Sequence, residues 1–599
     1  MNAAAGDHLD QTLNDMTPSS IDAALRELTG SGRFEIGLDE HGHRNFVNRP
    51  SSICALVAQC TKRGDDEFLV AGHRRMSFEQ FAHSVWGVAH ALREQYGLRV
   101  GDRVGILAPN SVDWLLAAFG TACAGGIAVA LNSWSSPREQ ALAIEDAQLT
   151  ILVVEESLAA SLIISDLGAS SLRQVLVCGD PTRFLGKLPV ASFEDLEQPT
   201  PDPPGHVAHE DDTFVIVYTS GTTGVPKGCI TTHRGTIAQI NSVILSGILD
   251  RRMRGKAAPR RAAQQPALLL TLPLFHVSGL HAAVCLSLVT GAKVVLLEGR
   301  FEPDKVLTLI ENERITAWGG VPTMLQRVVT SAGAARADLS SLKNVSVGGA
   351  PVSSGALAKA QDLLGDSANV ASGYGMTETH GAITISGQWI GPDRRSSVGR
   401  ISPIVDVVVT DDDGRLIPAG QVGEIRVSGP VVTPGYWNRP DETADAIHAG
   451  WFRTGDLGYL DDDGYLYVVD RSKDMIIRGG ENIYCSEIEH VLEDLPGVIE
   501  AAVFGIPDAD LGERVWAVVH ADATAPSPAQ MRKHATDTLA QFKVPDHIEA
   551  VAEPLPRNAS GKLLKRELRE TVYTASRRDA VSHVASAKTA GTKQITESN

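Results

Sequence analysis

Positive charge is in short supply: 54 Lys and Arg against 72 Asp and Glu leave the 599-residue chain with a formal net charge of −18. That balance disfavours a broad nucleic-acid or anionic-membrane surface and favours solubility. Cysteine is sparse as well. The seven residues Cys54, Cys60, Cys123, Cys178, Cys229, Cys285 and Cys485 are scattered, with no pair at metal-ligand spacing and no dense framework, so reduced thiols are expected. No stretch offers the roughly 18 uninterrupted apolar residues of a membrane span, and the opening "MNAAAGDHLDQTLNDMTPSS" lacks the basic and apolar regions of a signal peptide. Also missing are GxGxxG, GxSxG and HExxH patterns, which removes sequence support for dinucleotide oxidoreductase, α/β-hydrolase and zincin chemistry. These absences lead to the expectation of a soluble cytoplasmic protein with no nucleic-acid partner and no stable membrane insertion.

What is present is a layered pattern. From about residue 100 to 375, strand-like apolar runs ("RVGILAP", "IAVAL", "ILVV", "VLVC", "FVIVY", "ALLLTLP", "KVVLLE", "ITAWGG", "NVSVGG", "NVASGYG") alternate with helix-length segments such as "SVDWLLAAFGTACAGG" and "PREQALAIEDA". Continuous apolar strands of this kind imply an α/β fold whose largely parallel sheets are covered on both faces. After Val398 the strands "IVDVVVT", "GEIRVSG" and "GYLYVVD" are associated with "DDDG" at 411–414 and 461–464, which suggests a small antiparallel section. A compact mixed segment with strands "AAVFGI" and "RVWAVVHA" and the helical "SPAQMRKHATDTLAQF" follows. The small, polar last residues predict disorder.

One loop raises a chemical question. In "YTSGTTGVPKG" (218–228), Thr219, Ser220, Gly221, Thr222, Thr223 and Gly224 present hydroxyls and backbone N–H groups with little bulk, and Lys227 adds a mobile cation. A polyphosphate is the natural guest of such a loop. It is not a Walker loop, because Lys227 is followed by Gly228 rather than Ser or Thr. Taken alone, the same residues also suit a flexible surface loop.

Six further motifs follow it in order: "LPLFHVSG" (272–279), "GGAP" (348–351), "GYGMTET" (373–379), "FRTGDLG" (452–458), "VDRSKDMIIRGGENIY" (469–484) and "PRNASGK" (556–562). Together the seven resemble the signature of the adenylate-forming superfamily, which includes acyl-CoA synthetases, luciferases and peptide-synthetase adenylation domains. The resemblance implies that the first loop, Gly349, Ala350 and Pro351, and Gly373, Tyr374, Gly375, Met376 and Thr377 hold ATP, with Tyr374 against the adenine and Glu378 on Mg²⁺. A flat ring and a hard carboxylate oxygen suit those tasks. It implies that Asp456 accepts from the ribose hydroxyls, as a carboxylate with two acceptor oxygens can, and that Arg471 donates at the ribose or α-phosphate. By the same resemblance Lys562 bridges the incoming carboxylate and the α-phosphate, His276 flanks the acid, and Lys473 marks a hinge at 470–473. Gly479 and Gly480 leave room for the pantetheine arm of coenzyme A. Cys485 stands where many relatives have proline, and nothing near it marks a nucleophile. Pocket walls are expected around Gly279, Trp318, Gly320, Val321, Gly348 and His380, with Trp318 either shortening the cavity or packing in the core.

The resulting expectation is an arm at 1–45, a large ATP- and acid-binding domain at 46–469, a mobile α+β domain at 470–573 and a disordered tail at 574–599. The reaction expected is activation of a fatty, alicyclic or aromatic acid as acyl-AMP and transfer to coenzyme A, by a monomer or homodimer. The alternatives are transfer to an amine or a separate carrier protein, oxidation of the adenylate, and a silent nucleotide-binding regulator; Lys562, Glu378 and Asp456 speak against the last. The basic run "RRMRGKAAPRR" (251–261) suits a solvated loop better than a phosphate or lipid contact.

Overall fold

The alternation of apolar runs and helix-length segments resolves into two seven-stranded sheets. The computed structural model describes residues 20–160, 162, 171–219, 226–253, 264–349, 360–365, 368–387, 390, 394, 396–479, 481–508, 511–557 and 563–572. The first sheet has the order Lys227–Thr232, Thr213–Thr219, Ile127–Ala130, Arg103–Leu107, Ile151–Glu155, Gln174–Cys178, Val190–Ser192. Its neighbours are parallel except the first pair, an antiparallel hairpin that places Thr219 opposite Lys227. The second sheet has the order Asn369–Ser372, Asn344–Val347, Ala317–Gly320, Ala267–Leu270, Lys293–Leu296, Glu67–Ala71, Arg74–Ser77, and only the last pair is antiparallel. The strand runs read from the sequence between residues 100 and 375 all appear. The last two strands come from before residue 100, where the alternation gave no signal.

Helices cover these sheets because their start signals and apolar faces agree. Ser77, Ser111 and Ser136 each accept a backbone N–H three residues on, and at Ser77 and Ser136 the third residue closes a reciprocal capping box. Phe81, Trp114, Phe119 and Phe214 are buried in one core that joins helix Phe78–Glu94 and helix Val112–Cys123 to the first sheet.

A third sheet has the order Thr384–Ile385, Gly399–Ile401, Tyr465–Arg471, Trp451–Leu460, Gly423–Ser428, Asp406–Thr410. The two acidic turns share one design: the N–H of Gly414 bonds the carbonyl of Asp411, and that of Gly464 bonds Asp461, both at 3.0 Å. Glycine at φ +80° and +77° supplies the left-handed step that each turn needs. Residues 20–46 are ordered against the same unit. Helix Ser20–Thr29 sets Ala24 beside Leu249 and Ile385, and Arg234 forms ion pairs with Asp39, Glu40, Glu210 and Asp211.

The chain divides into two units, one reaching Thr454 and including Tyr459–Tyr467, the other made of Gly455–Gly458 and the residues from Val468 onward. In the smaller unit, strands Glu481–Ile483, Ile476–Arg478, Gly512–Ala521 and Val498–Asp508 form a sheet in that order, with His547–Val551 added parallel to Gly512–Ala521. Ile488 and Leu492 of helix Cys485–Glu493 and Met531 and Ala535 of helix Pro528–Thr538 are buried on the apolar side of this sheet, with Val503, Val515 and Val519. No helix among the described residues is long and apolar enough to cross a membrane.

Candidate functional site

The hairpin Thr213–Thr219/Lys227–Thr232 carries the hydroxyl-rich loop, so the loop joins two antiparallel strands instead of a strand and a helix. At its near end the buried Tyr218 donates its hydroxyl to Asp146 Oδ2 at 2.8 Å, and burial, helped by the Asp146 charge, pushes the phenol up. Thr219 Oγ1 lies 3.4 Å from the carbonyl of Lys227. Lys227 Nζ pairs with Glu442 and sits 5.5 Å from the ring centroid of Tyr436. Ser220, Gly221, Thr222, Thr223 and Gly224 lie outside the described residues, as do Ala350, Pro351, Gly480 and Lys562.

The segment Gly373–Thr379, in which Gly375–Met376 pairs with Gly381–Ala382, is held by the hydroxyls of Thr379 and Thr384. Tyr374 N–H donates to Thr384 Oγ1 at 3.0 Å and Met376 N–H to Thr379 Oγ1 at 3.0 Å, while Thr379 Oγ1 donates to the Gly381 carbonyl at 2.7 Å. Only glycine fits at 375, because a Cβ there would stand 2.0 Å from the Gly381 oxygen. Thr377 and Glu378 follow in a short 3₁₀ turn, Thr377–Thr379. The Tyr436 hydroxyl donates to Glu378 Oε1 at 2.9 Å, and burial and the Glu378 charge together push that phenol up. With no partner for its second oxygen among the described residues, Glu378 suits the way Mg²⁺ is usually held, by a carboxylate or two plus substrate oxygens. Gly349 adopts φ +81°, and a Cβ at the preceding Gly348 would lie 3.9 Å from the Gly373 carbonyl, which sets these two segments side by side.

The expected acid-pocket residues separate. Trp318 is buried among Ile310, Leu325 and Val345 and donates its indole N–H to Thr271 Oγ1 at 3.0 Å, so it packs in the core. Gly279 has no room for a side chain, since a Cβ would meet the Pro273 carbonyl at 2.2 Å. His380, at φ +57°, is fully enclosed: its Nε2 accepts Thr232 N–H at 2.8 Å and its Nδ1 bonds the Val431 carbonyl at 2.7 Å. His276 is partly accessible, yet its Nε2 is enclosed without a partner among the described residues, and burial pulls the imidazole down to about 4. A neutral ring of that kind can accept or donate a hydrogen bond without bringing charge.

In the smaller unit Arg471 Nε lies 3.3 Å from Asp456 Oδ1, and the N–H of Ser472 bonds the Gly455 carbonyl at 3.0 Å. Lys473 is pulled down by burial and by the neighbouring Arg471 charge. Gly479, at φ +60°, donates its N–H to the Leu511 carbonyl at 2.7 Å. Cys485 is the first residue of its helix, a position at which proline is tolerated, and it bonds the Asp474 carbonyl through Sγ at 2.9 Å. Burial pushes its thiol up.

Four residues outside the seven motifs gather at the described ends of the loop, Tyr218 and Lys227: Asp146, Tyr436, Arg439 and Glu442. The last three lie in "GYWNRPDET" (435–443), whose two aromatics beside glycine and alternating charge were the available signal.

The comparisons place the chain in a family. Residues 56–437 match the family AMP-binding enzyme, and residues 487–562 match the AMP-binding enzyme C-terminal domain. The chain is 36% identical over 480 residues, 80% of its length and 90% of the relative's, to the long-chain-fatty-acid–CoA ligase FadD13 of Mycobacterium tuberculosis (strain ATCC 25618 / H37Rv). It is 35% identical to a feruloyl-CoA synthase of an Amycolatopsis species over 499 residues, covering 83% of this chain and 94% of that one. Among solved structures, ATP-bound MatB from Rhodopseudomonas palustris aligns with a TM-score of 0.75 at 31% identity, over 87% of this chain and 99% of that one. With both family matches in chain order and the fold shared across nearly the whole of a solved relative, the chain belongs to the adenylate-forming AMP-binding enzymes, of acyl-CoA synthetase type.

Proposed function

We propose that the protein is an ATP-dependent acid:CoA ligase. In the first half-reaction a carboxylate oxygen attacks the α-phosphorus of ATP, forming acyl-AMP and expelling pyrophosphate. In the second the thiolate of coenzyme A attacks the acyl carbonyl, the thioester forms and AMP leaves. The observation that carries this reading is the meeting of Lys227 and Glu378 at one ring, that of Tyr436, which brings a cation suited to phosphates within reach of a carboxylate suited to a metal.

In this reading the residues divide the work. The hydroxyls and N–H groups of 219–224 and Lys227 hold the phosphates, and Gly349, Ala350, Pro351 and Gly373–Thr377 close around the adenine. Glu378 holds Mg²⁺, whose charge would offset that of the phosphates. Asp456, beside Arg471, accepts from the ribose hydroxyls. His276 flanks the acid as a neutral ring. Lys562 bridges acid and α-phosphate, stabilising charge that accumulates only in the transition state. Residues from about 474 onward turn between the two half-reactions, and the segment around Gly479 and Gly480 then admits the pantetheine arm. The acid is an organic carboxylate of fatty, alicyclic or aromatic type; the names of the relatives span the first and last of these.

A panel of carboxylic acids assayed for AMP formation with and without CoA tests the reading. CoA-dependent AMP with at least one acid is expected. Pyrophosphate release without CoA-dependent AMP would move the acceptor to an amine or a carrier protein. Lys562→Ala is expected to abolish adenylate synthesis and to keep most thioester formation from supplied acyl-AMP; equal damage to both steps would overturn the division of labour.

A further inference from the structure

Both ends of the loop 218–228 are fastened to the segment 435–443. At the start, Tyr218 donates to Asp146, whose other oxygen pairs with Arg439 at 2.5 Å. At the far end, Lys227 pairs with Glu442 Oε2, and Glu442 Oε1 lies 3.7 Å from Arg439 Nε. Backbone bonds run alongside, from Trp437 N–H to the Gly228 carbonyl at 2.7 Å and from Ile230 N–H to the Gly435 carbonyl at 3.1 Å. Tyr436 stands between the two functional charges, with the Lys227 ammonium near its ring and its hydroxyl on Glu378.

We propose that Glu442 sets nucleotide affinity by competing with the polyphosphate for Lys227, and that Tyr436 is the positioning residue that aims Glu378 at the metal. The proposal rests on the ATP reading above. Lys227 carries one positive charge, and an anion that needs it must displace the carboxylate already there. A ligand that binds only the released form is weakened by the fraction of molecules in which the pair is closed. With side chains 22% and 37% exposed, this pair is of the partly solvated kind that holds modestly and exchanges readily. The Tyr436 ring competes for none of the phosphate oxygens, so it can keep the ammonium in place during the exchange. The role of its hydroxyl is different. It fixes one oxygen of Glu378 and thereby decides which oxygen faces a cation.

The test is calorimetric titration of the full-length protein with a non-hydrolysable ATP analogue, without acid or CoA, once with Mg²⁺ and once with EDTA. Glu442→Gln should lower Kd by about two- to fivefold in both arms, the range expected for losing one partly exposed pair. Glu442→Asp should stay near wild type. On a Lys227→Met background, Glu442→Gln should change nothing. Tyr436→Phe should leave Kd in EDTA unchanged and weaken binding several-fold with Mg²⁺. An unchanged or raised Kd for Glu442→Gln in protein that melts like wild type, or the same gain on the Lys227→Met background, overturns the role of Glu442. Equal effects of Tyr436→Phe in both arms overturn its positioning role. If the wild type binds no analogue in either arm, the ATP reading itself fails and this inference falls with it.

Discussion

Thr232 donates its backbone N–H to Nε2 of His380 at 2.8 Å, which makes that nitrogen an acceptor and leaves the proton on Nδ1, facing the Val431 carbonyl. Both ring nitrogens are thus committed to backbone groups while the ring is neutral. Protonation would leave the Nε2 proton pointing at another donor.

His380 is one of three enclosed histidines in a column. Its ring stacks on His281, His281 on Phe214, and Phe214 on His233. Burial pulls His380 and His233 down to about 4 and His281, which also faces His380, to about 3. The unfolded chain binds these protons near pH 6.5, so on acidification it takes them up before the folded protein does. Stability is expected to be full above about pH 6.5 and to fall as the pH drops towards 4, by up to about 1.4 kcal/mol per pH unit for each histidine. Urea unfolding between pH 7.5 and 5 measures this. His281→Phe should make the slope shallower by about one proton, and an unaltered slope would contradict the assignment.

Trp318 provides a second expectation, because its indole N–H reaches Thr271 Oγ1 and its ring lies in the core. Trp318→Ala is expected to destabilise by about 3–5 kcal/mol, the usual range for deleting a large buried aromatic. Trp318→Phe should lose less and leave the rank order of accepted acids as it was. A shift in preferred chain length with Trp318→Phe at unchanged stability would return this residue to the pocket wall.

The sequence announced most of the sheet architecture because buried parallel strands leave long apolar runs, as "FVIVY" and "ALLLTLP" show. The strand Glu67–Ala71 is not legible in the same way: five residues forming one arm of a short hairpin give too little pattern beside the longer alternation. Side-chain partnerships were less legible. Nothing in the spacing of Asp146, on helix Pro137–Ala147, and Arg439, just before helix Pro440–Ala446, reveals that they meet at 2.5 Å, and the choice between wall and core for Trp318 depends on Thr271, just past the end of the neighbouring strand.

Thiol chemistry should follow burial. All seven cysteines are free; Cys54 is partly accessible and the other six are buried. Burial pushes Cys60 up to about 12 and raises Cys178, Cys285 and Cys485 as well, so these sulfurs are held as unreactive thiols near neutral pH. Native protein treated with a chromogenic disulfide reagent at pH 8 is expected to show at most one fast equivalent, lost in Cys54→Ala, with the others released only on unfolding. Rapid labelling of Cys485 would show that its bond to the Asp474 carbonyl does not hold in solution.

Gln239 presents the opposite problem, a polar group with nothing to bind. It is fully buried on helix His233–Met253, one turn after Gly235, and neither its Oε1 nor its Nε2 has a partner among the described residues. Its amide lies against Gly381, where an added Cβ would fall 2.9 Å from Nε2. Taking such an amide out of water without a replacement bond costs about 1–3 kcal/mol, and a methionine fills nearly the same volume without that penalty. Gln239→Met is therefore expected to raise stability by about 1–2 kcal/mol at pH 7.5, read from the denaturant midpoint at constant m-value. Gln239→Ala should lower it, since it removes the same polar atoms but leaves a void. If methionine destabilised the protein as much as alanine does, the amide would have to be satisfied by enclosed water, and the helix surface facing Gly381 would be a hydrated seam instead of a dry one.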